Sequence, residues 1–326
     1  VRAIVCTRYG PPEGLELQEV EKPTPRDNEV LIKVCAATVT RGDVMIRSLP
    51  LVVWLPMRIM IGLPRKRIPG HELAGQIEAI GRHVELFRQG DPVFGTTSGL
   101  SVGSYAEYVC LPEKRDGGAL AMKPANMTYE EAAAVPVGGL TALHFLRRGN
   151  LQSGQRALIY GASGSVGTFA VQLAKHFGAE VVGVCSTASL ELVRSLGVHH
   201  VIDYTREDFA DGGARYDLIF DTVGKTSLSH SRKALTPQGS YVTVQRGLAR
   251  EHTEDLVFLQ ELIEAGRIRT VIDRRYPLEQ TAEAHRYVER GHKKGNVVIN
   301  VVGSAGRRPG ASPGSSERTR ATESSS

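Results

Sequence analysis

Short apolar runs separated by Gly and Pro fill the first 120 or so positions. The stretch EVLIKVCAATVT (29–40) has the Val, Ile and Thr density of a strand, and LAGQIEAIG and GDPVFGTT follow with glycine-marked turns. From about 125 to 250 the pattern changes to strands alternating with helices. The apolar runs RALIY, EVVGV, HVIDY, YDLIFDTV and SYVTVQ are separated, in the earlier part, by helical spacing. Such alternation predicts an α/β arrangement, a parallel sheet covered on both faces. A helix near 254–265 follows, and VVINVV (297–302) predicts a strand returning to the first part of the chain. The last 24 residues hold 13 Gly, Ser or Pro and no aliphatic or aromatic side chain larger than Ala, so residues 303–326 are expected to be disordered. There is no internal repeat.

The segment RALIYGASGSVGTFAVQLAKHFGAEVVGVCST (156–187) reads as strand, glycine turn, helix, strand. Val166, Phe169, Ala170, Leu173, Ala174 and Phe177 fall on one helical face for the sheet. Ala162, Gly164 and Gly167 take the positions of a three-glycine fingerprint. The first must be small for the tight turn, the second lets backbone approach a pyrophosphate, and the third lets helix and strand pack closely. The turn Ala162, Ser163, Gly164, Ser165, Val166 and Gly167 therefore predicts a dinucleotide site, the bland alternative being a turn that serves packing alone. At the end of the second strand, where an acid binds the ribose of NAD, the chain has Cys185, Ser186 and Thr187, with Ser189 nearby. Hydroxyls without a carboxylate favour a 2′-phosphate, and so NADPH, although no Lys or Arg occurs before Arg194.

Length and composition narrow the class. A chain of 326 residues suits about two domains, and 41% hydrophobic with 23% charged residues is ordinary for a globular protein. The net charge is +5, of which the tail carries +2, and no cationic run exceeds Arg65-Lys66-Arg67, so nucleic acid is not expected as a partner. Four scattered cysteines without a Cys-x-x-Cys pair suggest reduced thiols and a cytoplasmic protein. The opening RAIVCTRYG reads as a strand rather than a leader. The stretch 48–64, SLPLVVWLPMRIMIGLP, is apolar but broken by Pro50, Pro56 and Pro64 and charged at Arg58, too short a run for a span of about 20 residues. It is read as an apolar loop or short helix packed on the body, or as a lip over a hydrophobic pocket, with peripheral membrane contact as a third option.

Several segments together carry a resemblance: PGHELAGQIEAIG (69–81), GDPVFG (90–95), GSYAEYV (103–109), EEAAAVPVGGLTALHFL (130–146), GASGSVG (161–167), SLGVHHVIDY (195–204), DLIFDTVG (217–224) and KKGNVVI (293–299). They are similar to the medium-chain dehydrogenase/reductase superfamily, in its zinc-free quinone oxidoreductase-like (zeta-crystallin-like) branch. The resemblance implies a GroES-like β-rich catalytic domain (1–124), a Rossmann doubly wound parallel sheet binding NADP(H) (125–265) and a C-terminal return (266–302), with the active site in the cleft between domains. It implies a homodimer and a small lipophilic carbonyl or quinone substrate.

Zinc-dependent relatives use a His at the place of His71, with two cysteines where this chain has Thr40 and Val137. One ligand of three remains, while a catalytic zinc takes three protein ligands and an open position, so no metal is expected. His71 is expected to be partly buried and bonded to Asp43. Carried over by position, Thr141 touches the nicotinamide carboxamide, the alternative being a local helix-start hydrogen bond. Thr40 stands where relatives place an Asn near nicotinamide and substrate, and Met45 where some carry a pocket Tyr. Tyr204 packs by the adenosine, and Lys294, Gly295 and Asn296 form a returning loop near the cofactor, Lys294 being otherwise a solvated surface charge. The activity implied is zinc-independent, NADPH-dependent reduction of quinones or α,β-unsaturated carbonyls, with no proton donor assigned and a solvent proton as the default. The alternatives are an NADPH-binding redox-sensing or interaction protein and, disfavoured by ligand count, a zinc alcohol dehydrogenase.

Overall fold

The computed structural model describes residues 1–60, 67–97, 103–114 and 118–301, giving the backbone alone at 51, 54, 55, 57 and 58. The 303–326 tail, and the end of the 48–64 stretch from 61 onward, lie outside the described residues. The chain opens with the hairpin pair β1 (Arg2–Cys6) and β2 (Leu15–Glu19). Next comes β3 (Glu29–Thr38), whose Val30, Ile32, Val34, Ala36 and Ala37 are buried. The predicted strand ran to residue 40; it stops at Thr38 because Thr40 caps α1 (Arg41–Arg47). After α2 (Leu51–Met60) come β4 (Glu72–Ile80), β5 (Pro92–Thr96), β6 (Tyr108–Pro112) and β7 (Leu120–Met122), and the short α3 (Tyr129–Ala133) packs on β3 and β4.

The 48–64 stretch is thus helical from Leu51, but the side chains described on α2 are not packed: Val52, Val53, Pro56, Ile59 and Met60 are exposed. No helix among the described residues is long and apolar enough to cross a membrane.

The alternating part begins with α4 (Pro136–Arg148) and continues as β8 (Arg156–Tyr160), α5 (Ser165–His176), β9 (Glu180–Cys185), α6 (Leu190–Ser195), β10 (His200–Asp203), β11 (Tyr216–Asp221), α7 (Leu228–Ser231), β12 (Leu235–Thr243) and α8 (Thr253–Glu264). Its sheet is parallel throughout, in the order β10-β9-β8-β11-β12. β11 ends sooner than its apolar run because the Asp221 carboxylate accepts hydrogen bonds from the N–H groups of Val223, Gly224 and Thr226, folding the chain into a turn. On α5, Phe169, Ala170, Leu173 and Ala174 are fully buried, the face predicted from spacing.

The chain then returns. After β13 (Ile272–Pro277) and α9 (Thr281–Glu289), β14 (Asn296–Asn300) pairs with β3 in antiparallel register, so the first sheet runs β13-β14-β3-β4-β5-β7 with β6 also on β3. The four cysteines are unpaired thiols, Cys6 and Cys185 buried.

The α5–β8 junction is the tightest contact at the glycine turn: a Cβ at Gly167 would stand 2.1 Å from the Gly161 carbonyl oxygen and 2.8 Å from the Ala162 Cα. Backbone cannot yield as a side-chain tip can, so Gly167→Ala is expected to cost about 1–3 kcal/mol by overpacking. Chemical denaturation of the variant checks it; unchanged stability would show that helix and strand have room to part.

Candidate active site

The turn after β8 is made at Gly161, which has φ of +83°, the left-handed region that glycine enters freely. This corrects the expectation that Ala162 makes the tight turn. Ala162 is fully buried, and its methyl lies 3.2 Å from where a Cβ at Gly183 of β9 would stand, so its small size serves sheet packing. Gly164 is the N-cap of α5, and a Cβ there would meet nothing closer than the Gly161 oxygen at 3.5 Å. Space is therefore open at the residue expected to face a pyrophosphate. Thr168 donates to the Gly164 carbonyl, whereas the N–H groups of Ser165, Val166 and Gly167 have no hydrogen-bond partner among the described residues. Three free donors at a helix N-terminus, over an uncrowded glycine, fit an anionic pyrophosphate.

The returning loop closes on this turn from the other side. Gly295 N–H donates to the Ser163 carbonyl at 2.8 Å, Ser165 Oγ donates to Asn296 Oδ1 at 2.5 Å, and Asn296 Nδ2 donates to the Val271 carbonyl at 3.1 Å. Asn296 is 3% exposed, so it acts as a brace for the turn. Lys294 Nζ reaches the Ala188 carbonyl at 2.5 Å, beside Thr187. The preceding Lys293 donates to the Gly295 carbonyl; burial lowers its ammonium to about 8, against the attraction of Glu72 and Asp273.

The strand-end hydroxyls are arranged differently from the expectation. β10 lies beside β9 with Asp203 opposite Cys185, which brings in a carboxylate that reading β9 alone did not reveal. Asp203 accepts from Thr187 Oγ1 at 2.5 Å and from Thr205 N and Oγ1 at 3.0 and 2.7 Å, and Arg206 stands 3.6 Å away. The Thr187 bond, with those of Thr205 and the Arg206 charge, holds this carboxyl below its ordinary range despite desolvation. Ser189 is buried at 4% exposure and the Thr187 proton is directed at Asp203, leaving Ser186 as the strand-end hydroxyl without a partner among the described residues. Tyr204 is half exposed, stacked on Tyr160 with ring centroids 6.3 Å apart, at the edge of a cavity of about 390 Å³ that includes Arg206, Lys225 and His230.

The cleft side is built on buried acids. Thr40 and Asp43 form a capping box: Thr40 N–H and Oγ1 both donate to Asp43 Oδ2, and Asp43 N–H donates back to Thr40 Oγ1. The proton of the Thr40 hydroxyl is thereby directed at Asp43 rather than at a ligand. His71 does not bond Asp43 as expected. Its Nε2 pairs with Glu251 Oε1 at 2.7 Å, and Thr96 Oγ1 donates to the other Glu251 oxygen at 2.6 Å. Glu251 lies on the loop between β12 and α8, so this pair joins the parallel-sheet part to the first sheet. Burial disfavours the charged imidazole, but the Glu251 bond and charge, with Asp43 and Glu72, raise the His71 pKa on balance.

Glu72, fully buried, accepts from Thr38 Oγ1 on β3 and from the Val137 N–H in the first turn of α4 at 2.7 Å. Desolvation lifts its carboxyl to about 7, against the stabilising bonds from Thr38 and Val137. Thr141 stands one turn beyond Val137 on α4; it is half-buried and its hydroxyl has no hydrogen-bond partner among the described residues. The local helix-start bond is thus not made, and the hydroxyl is open to a ligand. Met45 is exposed at 61%. Among the described residues no group of three or more His, Cys, Asp or Glu is arranged to hold a metal ion. Glu72 was in plain view beside His71, whereas no local pattern marks Glu251.

Two family models match the chain: an alcohol dehydrogenase GroES-like domain over residues 26–121 and a zinc-binding dehydrogenase domain over 165–290. The chain is 33% identical to the 2-methylene-furan-3-one reductase of Solanum lycopersicum over 93% of its own length and 79% of the relative's. It is 31% identical to the chloroplastic NADPH-dependent alkenal/one oxidoreductase of Arabidopsis thaliana, covering 93% and 80% of the two chains. The solved structure of the quinone oxidoreductase from Coxiella burnetii superposes with a TM-score of 0.83 at 28% identity, covering 92% of this chain and 99% of that one.

Glu72 and His71 give the site a definite pH dependence. Both hold a proton more tightly when folded. Glu72 therefore loses stability as pH rises from 4.5, its ordinary value, through about 7. The His71 pair, full below 6.5, adds to this loss as pH rises through its raised value. Burial holds His285 down to about 3, which acts oppositely below pH 6.5, so the Glu72 part is read as a difference. In thermal unfolding from pH 4.5 to 8, the stability advantage of the parent over Glu72→Gln is expected to shrink as pH rises to about 7. A Glu72→Gln profile as steep as that of the parent would mean that Glu72 stays ionised throughout.

Proposed function

The chain belongs to the medium-chain dehydrogenase/reductase superfamily, in its quinone oxidoreductase-like branch, and on that footing we propose that it reduces quinones or α,β-unsaturated carbonyls with NADPH and without zinc. The observation that carries the cofactor is Lys294, whose ammonium stands at the Ala188 carbonyl, between Ser186 and Thr187 on one side and the buried Ser189 on the other. It supplies the cation that a 2′-phosphate requires, and Ser186 supplies a hydroxyl. The acceptor class follows the relatives named for furanone, alkenal/one and quinone reduction.

When bound, NADPH supplies a hydride. The protein's part is to hold and orient. The N–H groups of Ser165, Val166 and Gly167 receive the pyrophosphate, and the Thr141 hydroxyl meets the carboxamide. The Glu72 bond to Val137 fixes the first turn of α4 and with it the height of Thr141. Thr40 and Val137 offer a capped hydroxyl and an alkyl group where zinc relatives offer thiolates, so negative charge developing on an acceptor oxygen falls to hydrogen-bond donors or water. The proton comes from solvent. The catalytic unit is residues 1–124 with 266–302, and the protein is taken as a cytoplasmic homodimer, to be checked by light scattering and fractionation.

A second reading, an NADPH-binding redox sensor or interaction protein, draws on the engaged Thr40 hydroxyl and the exposed apolar side chains of α2.

NADPH oxidation is expected with a panel of quinones and enones, undiminished by chelator. Binding of NADPH with no acceptor consumed would favour the second reading, and activity abolished by metal removal would contradict the zinc-free mechanism. Lys294→Ala is expected to weaken NADPH about tenfold, the scale of one charge-assisted hydrogen bond, and NADH much less. Calorimetry on both cofactors measures this; an equal loss for the two would remove Lys294 from the 2′-phosphate.

A further inference from the structure

A second concave site lies on the outer side of α4, where the loop between β12 and α8 folds over it. The cavity measures about 540 Å³ and is lined by His144, Arg147 and Arg148 of α4, by Leu248, Arg250 and His252 of the loop, and by Asp255 of α8. Asp255, the one carboxylate in the lining, forms an ion pair with Arg147. Arg148 Nη1 donates to the Arg246 carbonyl at 2.8 Å and has no carboxylate partner among the described residues. Arg250 and His252 are exposed, and their side chains have no hydrogen bond or ion pair among the described residues. After the Arg147–Asp255 pair is set aside, two guanidiniums and two imidazoles face one cavity with no counter-charge. The proton affinity of His144 reports the same convergence: burial lowers its pKa first, and Arg148, Arg250 and His252 lower it further, against Asp255.

We propose that this cavity binds a phosphate ester, its oxyanion between Arg148 and Arg250 and its organic part against Leu248. Paired guanidiniums match phosphate oxygens in geometry as well as charge, which a lysine cluster would not. The cavity is larger than a bare oxyanion, and Leu248, 93% exposed, offers an apolar contact at its rim. Arg250 and His252 flank Glu251, whose carboxylate is bonded to His71 and Thr96 across the cleft. A ligand held here therefore sits on the loop that joins the two parts of the molecule. The inference does not depend on the reductase reading, because its test reads binding rather than turnover.

The test is an NMR titration of phenyl phosphate into the full chain, without NADPH and then saturated with it, following the ring protons of His144 and His252. Saturable shifts of both are expected, with the His144 titration midpoint rising once the anion offsets the neighbouring cations. The Arg148→Ala/Arg250→Ala variant is expected to bind at least about tenfold more weakly. Arg250→Gln, which breaks no hydrogen bond or ion pair to a described residue, is expected to weaken binding in the same direction should the double variant not fold. Absence of saturation, or unchanged affinity in Arg250→Gln, overturns the site. Shifts that vanish when NADPH is present assign the anion to the cofactor's own phosphate positions and overturn it equally. Inorganic phosphate binding as tightly as phenyl phosphate would remove Leu248 from the ligand's contacts.

Discussion

The backbone hydrogen bond from Gly295 to the Ser163 carbonyl ties the returning loop to the glycine turn, and much of the site depends on it. The turn is made by β8 and α5, elements of the parallel sheet, whereas the loop leads into β14, a strand of the first sheet. One register thus fixes three things together. It sets the relation of the two sheets at the cofactor, it places Asn296 where it braces Ser165, and it carries Lys294 to Ala188. A chain that ended before the return would keep the nucleotide turn and lose the cation beside it.

A second joint closes the cleft, and it is electrostatic. Glu72 spans Thr38 and the first turn of α4; Glu251 spans His71 and Thr96. Each carboxylate has its oxygens occupied by donors, which is what permits acids to be buried at all. The place used for a metal in zinc relatives is occupied here by a network of acids, hydroxyls and one imidazole that position backbone.

Periodicity was enough for the strands of the sheet, the buried face of α5 and β14, because each buries an apolar stripe that its own residues display. It failed where tertiary pairing supplies the partner. Asp203 reaches the Thr187 hydroxyl because β10 lies beside β9; Glu251 meets His71 across 180 residues of sequence. Lys294 is 106 residues from Ala188, so the charge missing around Ser186 could not be found by looking nearby. Ala162 and Ser189 fit a motif by spacing, but both are buried in the fold, and the Ala162 methyl packs against β9. The family resemblance implied that the two parts of the chain meet at the site; the side chains that join them had to be located in three dimensions.

The central claim is that a nicotinamide held by this turn hands its hydride directly to an acceptor in the cleft. It is tested most directly by isotope transfer from NADPH carrying deuterium at both C4 positions of the nicotinamide to an enone, with the product examined by mass spectrometry and NMR. Direct transfer predicts one deuterium on the β-carbon of the saturated product and a solvent-derived proton on the α-carbon. A product carrying no deuterium from the labelled cofactor, or cofactor bound and never consumed, would contradict the account.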